Sequence, residues 1–140
     1  MPRTMNAIAA TSILALMLAS GPAFAEMLTY KVELKGTAEV PTTDSAASGT
    51  ADIQVDTETK KMTWTITHSG LSGDPTGAHF HGPAAADAVA DPAIDITANM
   101  ASGSADLSDA QLADLQAGML YVNIHSAKFP GGEIRGQVVK

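Results

Sequence analysis

Gly49-Thr50-Ala51-Asp52-Ile53-Gln54-Val55, a turn over residues 56–61, then Met62-Thr63-Trp64-Thr65-Ile66-Thr67-His68: this stretch decides the fold. Both arms alternate with a period of two, the period of a strand with one buried face. In the second arm Met62, Trp64, Ile66 and His68 share the inner face and three threonines share the outer one. Two such arms around a polar turn predict a β-hairpin. His68 reads here as a buried or half-buried neutral histidine.

The same pattern extends in both directions. Leu28-Thr29-Tyr30-Lys31-Val32-Glu33-Leu34-Lys35 is a strand with a wet side, followed by a polar loop around Pro41. Ala78-His79-Phe80-His81 is a strand that ends at Gly82-Pro83. Residues 84–92 read as a loose, small and acidic excursion, and 93–97 as a short strand. Met119 to His125 and Glu133 to Val139 form a second hairpin around Lys128-Phe129-Pro130-Gly131-Gly132. One helix is predicted over 108–117. Ser108 and Gln111 make a capping box, Leu107 and Leu112 a staple, and Gly118 a stop. Several short strands with one minor helix predict an all-β protein, an antiparallel, Greek-key-like β-sandwich.

The first 25 residues read as a secretion signal. Arg3 gives the positive end, Ala7 to Ala19 the apolar run, and Ala23-Phe24-Ala25 the cleavage site. The expected product is one domain, residues 26–140, in the periplasm or secreted, with no membrane insertion after cleavage. Fifteen acidic residues against eight basic ones, a net charge of −7, argue against nucleic-acid partners. Cysteine is absent. The core must hold without disulfides, and a soft-metal site would use His or Met rather than thiolate.

Chemistry concentrates in few residues. The chain has four histidines, and His79 and His81 lie two apart on one strand face. Imidazole is a common ligand for copper and zinc. The plainer reading is that the two rings cap the sheet and hydrogen-bond to loops. Tyr121, Asn123 and His125 form a polar strand face opposite Val122 and Ile124, and His125 would complete a three-nitrogen set. Met100 is a further candidate ligand for Cu(I), although lone methionines usually pack. Asn123, Glu133 and Arg135 are candidate partners behind the ligands. For Glu133 and Arg135 a surface ion pair is the favoured alternative. Asp87, Asp91 and Asp95 recur every four residues but lack the glycine and glutamate of a calcium loop. No nucleophile motif, phosphate loop or dinucleotide fingerprint is present, so nothing marks an enzyme.

The ordered set Leu34-Lys35-Gly36, Glu39-Val40-Pro41, Gly70-Leu71-Ser72-Gly73, Ala78-His79-Phe80-His81-Gly82-Pro83-Ala84, Tyr121-Val122-Asn123-Ile124-His125 and Phe129-Pro130-Gly131-Gly132-Glu133-Ile134-Arg135-Gly136-Gln137 resembles the CHRD domain, named for chordin. The resemblance implies an extracytoplasmic β-sandwich. It implies secreted antagonists of bone morphogenetic proteins among chordin-like proteins, and short exported proteins in bacteria. A weaker likeness is to the copper–zinc superoxide dismutase sandwich, whose His-x-His strand and late strand histidine bind copper. His79, His81 and His125 follow that order, but no bridging histidine follows His81 and the zinc loop is missing. The leading expectation is thus a copper-preferring metal protein using His79, His81 and His125, with zinc as second choice. The rivals are a metal-free module that binds an extracytoplasmic protein or glycan, and a metal-dependent oxidoreductase.

Overall fold

A computed structural model of the chain describes residues 24–140. The signal segment expected over 1–25 therefore lies outside the described residues, save for Phe24 and Ala25.

The strands are β1 (Met27–Lys35), β2 (Ser48–Asp56), β3 (Lys61–Ser69), β4 (Pro75–His81), β5 (Pro92–Asp95), β6 (Ser102–Asp106), β7 (Tyr121–Ser126) and β8 (Ile134–Gln137), with helix α1 (Asp109–Gln116) before β7. All pairs are antiparallel, in the order β5-β4-β7-β8-β1-β2-β3-β6. The hairpin predicted over residues 49–68 is β2–β3, in register from Ser48 opposite Ser69 to Val55 opposite Met62. The late return of β8 to lie beside β1 gives the Greek-key character.

The two halves of the sheet meet at a narrow joint, Lys35 opposite Arg135. There the sheet folds over, so that inner faces meet. Trp64 of β3 and Phe80 of β4 lie far apart in strand order, yet their rings touch edge to face at 5.7 Å. Residues 96–101 nearly close the structure. Ile96 N donates to Ala78 O on β4, and Ile66 N on β3 donates to Ala101 O. The result is a nearly closed antiparallel sandwich. Its core includes Leu34, Ile53, Val55, Met62, Phe80, Ile124 and Ile134, all fully buried. Each such side chain contributes roughly 1.5–3 kcal/mol of transfer free energy.

Two local readings need correction, and one strand carries no sequence signal. His68 is exposed rather than half-buried. It sits at the last turn of the β3 pattern opposite Gly49, which has no side chain to cover it. Residues 102–106 form a strand where the sequence shows only small polar residues. Gly103 lies opposite Trp64, and a Cβ there would strike the indole and Asn99, so a poor strand former is what the indole requires. Residues 84–92 are not loose, because side chains from β8 hold their carbonyls, as described below.

Helix α1 follows its signals. Ser108 Oγ accepts from Gln111 N, Gln111 Oε1 accepts from Ser108 N, and Gly118 ends the helix at φ +72°. Ser108→Ala removes one acceptor from the first turn. It is expected to lower stability by about 1 kcal/mol, read as a drop of a few degrees in Tm. An unchanged Tm would mean that docking of Leu107 and Leu115 alone fixes the helix.

Candidate metal centre

Period two on β4 sends Ala78 and Phe80 into the core and His79 and His81 to the opposite face. On β7, Val122 and Ile124 go inward, and Tyr121, Asn123 and His125 share the face of the histidines. The register places His79 opposite Asn123, His81 opposite Tyr121 and Gly77 opposite His125. Gly77 leaves room for the His125 ring, which reaches diagonally toward His79. One nitrogen from each of His79, His81 and His125 lies within 4.8 Å of the others. The structure thus brings together the three histidines singled out from sequence, across 46 residues of chain.

Hydrogen bonds fix the rings. His125 Nδ1 is 2.8 Å from Pro130 O. A carbonyl only accepts, so Nδ1 carries the proton and Nε2 offers its lone pair. His79 Nδ1 lies 3.1 Å from that Nε2. Two nitrogens each about 2.0 Å from one tetrahedral ion stand about 3.3 Å apart, so this pair is near ligand spacing. His81 Nδ1 is 2.9 Å from Ala90 O, and His81 Nε2 is 2.8 Å from Asn123 Oδ1. Burial holds His79 and His81 below the ordinary imidazole pKa, with repulsion from His125 adding to it. Both rings are therefore neutral at pH 7, the form a metal needs, and a neutral His81 donates to only one of Ala90 O and the Asn123 carboxamide. The 3.7 Å approach of His79 Nε2 to Asp95 is accordingly not an ion pair at that pH. His81 is buried, while His79 and His125 are partly open to solvent.

A stack backs the site. Tyr121 lies flat against His81, with ring planes 2° apart and centroids at 4.7 Å. The Arg135 guanidinium covers the other side of Tyr121 at 3.5 Å. Arg135 also donates to Ala88 O, Ala85 O and Gln137 Oε1, and Gln137 Nε2 donates to Ala84 O and Gly118 O. These bonds fasten the 84–90 loop, and with it the carbonyl of Ala90 that His81 and Tyr121 share.

Glu133 and Arg135 are not a surface ion pair. Both are buried, and they bond to different groups. Burial works to raise the Glu133 pKa. Hydrogen bonds from Ser126, Ser45 and Ser72 outweigh it and hold the carboxyl below its usual range. Of the expected partners behind the ligands, Asn123 touches His81 directly, Arg135 reaches it through Tyr121, and Glu133 bonds to the serines instead. Met100 packs, partly buried, against the hydrophobic core. The carbonyls of Ala90 and Pro130 have no signature in sequence. Tyr121 was visible, but its stacking on His81 depends on a contact that spacing does not give.

A family model, described as the CHRD domain, matches residues 30–138. The chain belongs to the CHRD domain family. No curated protein and no solved structure matches it. The match covers all eight strands of this CHRD domain but for the first residues of β1, and it spans every residue of the imidazole cluster. Among the described residues no helix is long and apolar enough to cross a membrane.

Proposed function

We propose that this CHRD domain is an exported metal-binding protein whose ligands are His79, His81 and His125. Copper is the preferred ion and zinc the second. The observation that carries the reading is the convergence of three imidazole nitrogens within 4.8 Å on two paired strands. The Pro130 and Ala90 carbonyls orient two of the rings from behind, as partners of metal-bound histidines commonly do. Neutral nitrogen donors without thiolate suit copper and zinc. A water or an outside ligand completes the set, and Met100, packed on the core, is left out of it. Export rests on the Arg3 end, the Ala7 to Ala19 run and cleavage after Ala25. The partner is an extracytoplasmic protein that delivers or receives the ion.

The internal hydrogen bonds also suit a metal-free reading, in which the rings only hold loops to the sheet. Titration of residues 26–140 with Cu(I), Cu(II) and Zn(II), beside His79→Ala and His79→Ala/His81→Ala, separates the two. Free copper at about 100 times Kd is expected to stabilise by about 2.7 kcal/mol. That raises Tm on the order of 10 °C, an effect lost in both variants. Equal binding by wild type and double variant would end the metal reading and leave the rings structural.

A further inference from the structure

Glu39 is the one group among the described residues whose burial has no visible reason. It is 5% exposed, and its Oε1 is buried without a hydrogen-bond partner. A buried carboxylate oxygen with no donor is costly, so such an orphan calls for an explanation. Its neighbour is the Asn123 carboxamide. A Cβ on Gly132 would strike both Glu39 Oε1 and Asn123 Nδ2, which places the two groups side by side. The other end of that carboxamide faces His81 Nε2 at 2.8 Å.

A carboxamide has one donor end and one acceptor end, of nearly the same shape. Set between Glu39 and His81, it must show His81 the opposite of what it shows Glu39. We infer that Glu39 is a positioning residue of the imidazole site: through Asn123 it decides whether His81 Nε2 meets an amide donor or an amide acceptor. The inference rests on the metal-site reading above and names a regulator of that site.

Two arrangements follow. A neutral Glu39 donates its O–H to Asn123 Oδ1. The orphan oxygen is then satisfied, Nδ2 faces His81, and Nε2 keeps a lone pair that an ion can take once the amide swings aside. An ionised Glu39 accepts from Nδ2. Oδ1 then faces His81, as it does in the structure. The neutral ring answers it by moving its one proton from Nδ1 to Nε2, which gives up the bond to Ala90 O and leaves a proton that an ion has to displace. The environment holds the switch near neutrality. Burial pushes Glu39 up to about 7, against the opposing pull of Asn123, Arg135 and the Val40 amide. Arg135 on β8 is the charged group that acts on it. Lys128, Asp44 and Asp87 line the neighbouring grooves but are exposed to solvent.

The test uses metal-free protein carrying 15N-labelled histidine, wild type and Glu39→Gln, between pH 5.5 and 8.5. Glutamine keeps a donor for Asn123 at every pH and cannot ionise. In wild type the His81 Nε2 resonance is expected to move with a midpoint near 7. In E39Q it is expected to stay at the low-pH wild-type position. The same midpoint in both proteins, or no movement in wild type, would overturn the inference. A second arm compares copper affinity at pH 6 and pH 8. The two proteins are expected to match at pH 6, and E39Q to bind several-fold tighter at pH 8. Equal affinities at pH 8 would count against the role. If wild type binds no copper at either pH, the metal reading fails, and the histidine spectra still decide the role of Glu39.

Discussion

Arg135→Ala is expected to destabilise the domain by about 3–5 kcal/mol, among the largest effects of any single change. The side chain is 1% exposed and makes three hydrogen bonds from a charged donor. Such bonds contribute about 1.5–3 kcal/mol each. The desolvation of the guanidinium offsets part of their sum. Alanine leaves the Ala88 carbonyl without its donor, takes one of two donors from the Ala85 carbonyl, and uncovers Tyr121. The 84–90 loop should then loosen, and with it the Ala90 carbonyl that orients His81. The readouts are a fall in Tm of at least about 10 °C and faster amide exchange over residues 84–90. Arg135→Lys should recover little, since an ammonium cannot lie flat on Tyr121 while reaching two carbonyls. A loss within about 2 °C would show that the loop is held by Gln137 alone.

Glu39→Gln is expected to become more stable than wild type as the pH rises, by about 3 kcal/mol at pH 8. The folded pKa of Glu39 is raised to about 7 from an ordinary value of 4.5. Between those values the folded protein keeps a proton that the unfolded chain releases. Wild-type stability therefore declines from about pH 4.5 and levels off above about pH 7. Glutamine has no such proton, so the gap between the two proteins opens over that window. His79 and His81 act in the other direction. Their folded pKa values lie below 6.5, so their contribution is lost as the pH falls through 6.5. The His79 term is common to both proteins and cancels in their difference, whereas His81, coupled to Glu39 through Asn123, contributes to the gap itself. Denaturant unfolding at pH 5, 6.5 and 8 measures the gap. A gap that does not change with pH would mean Glu39 is already ionised in the fold at pH 5.

Much of this was legible in the chain. The 2.0 period of β1, β2 and β3 gave their faces correctly, because each buries one side and wets the other. The α1 caps were local and therefore readable. His79 and His81 were readable as a same-face pair for the same reason. What escaped was set by partners distant in sequence. β6 has no β-forming residues, yet it pairs along β3 with Gly103 opposite Trp64, where a Cβ would strike the indole. The 84–90 loop has the composition of a loose tract, and is held by Arg135 and Gln137 some 50 residues away. Tyr121 to His125 read as a strand with one polar face. Nothing in that pattern says that Tyr121 and Asn123 on the polar face are buried too. His68 erred the other way, since periodicity assigns a face and not the reach of the core.

The two ends of the strand order carry one more meaning. β5 and β6 are four and five residues long, against nine for β1, β2 and β3. β5 begins with Pro92, and acidic Asp95 and Asp106 close the two strands. The link between them hydrogen-bonds back to β4 and β3. An all-β chain without cysteine is otherwise open to sheet extension by its neighbours, the first step toward amyloid-like aggregates. Here brevity, a proline, two charges and a stitched seam leave little for an incoming strand to grip. The domain can therefore be crowded without its sheets running together.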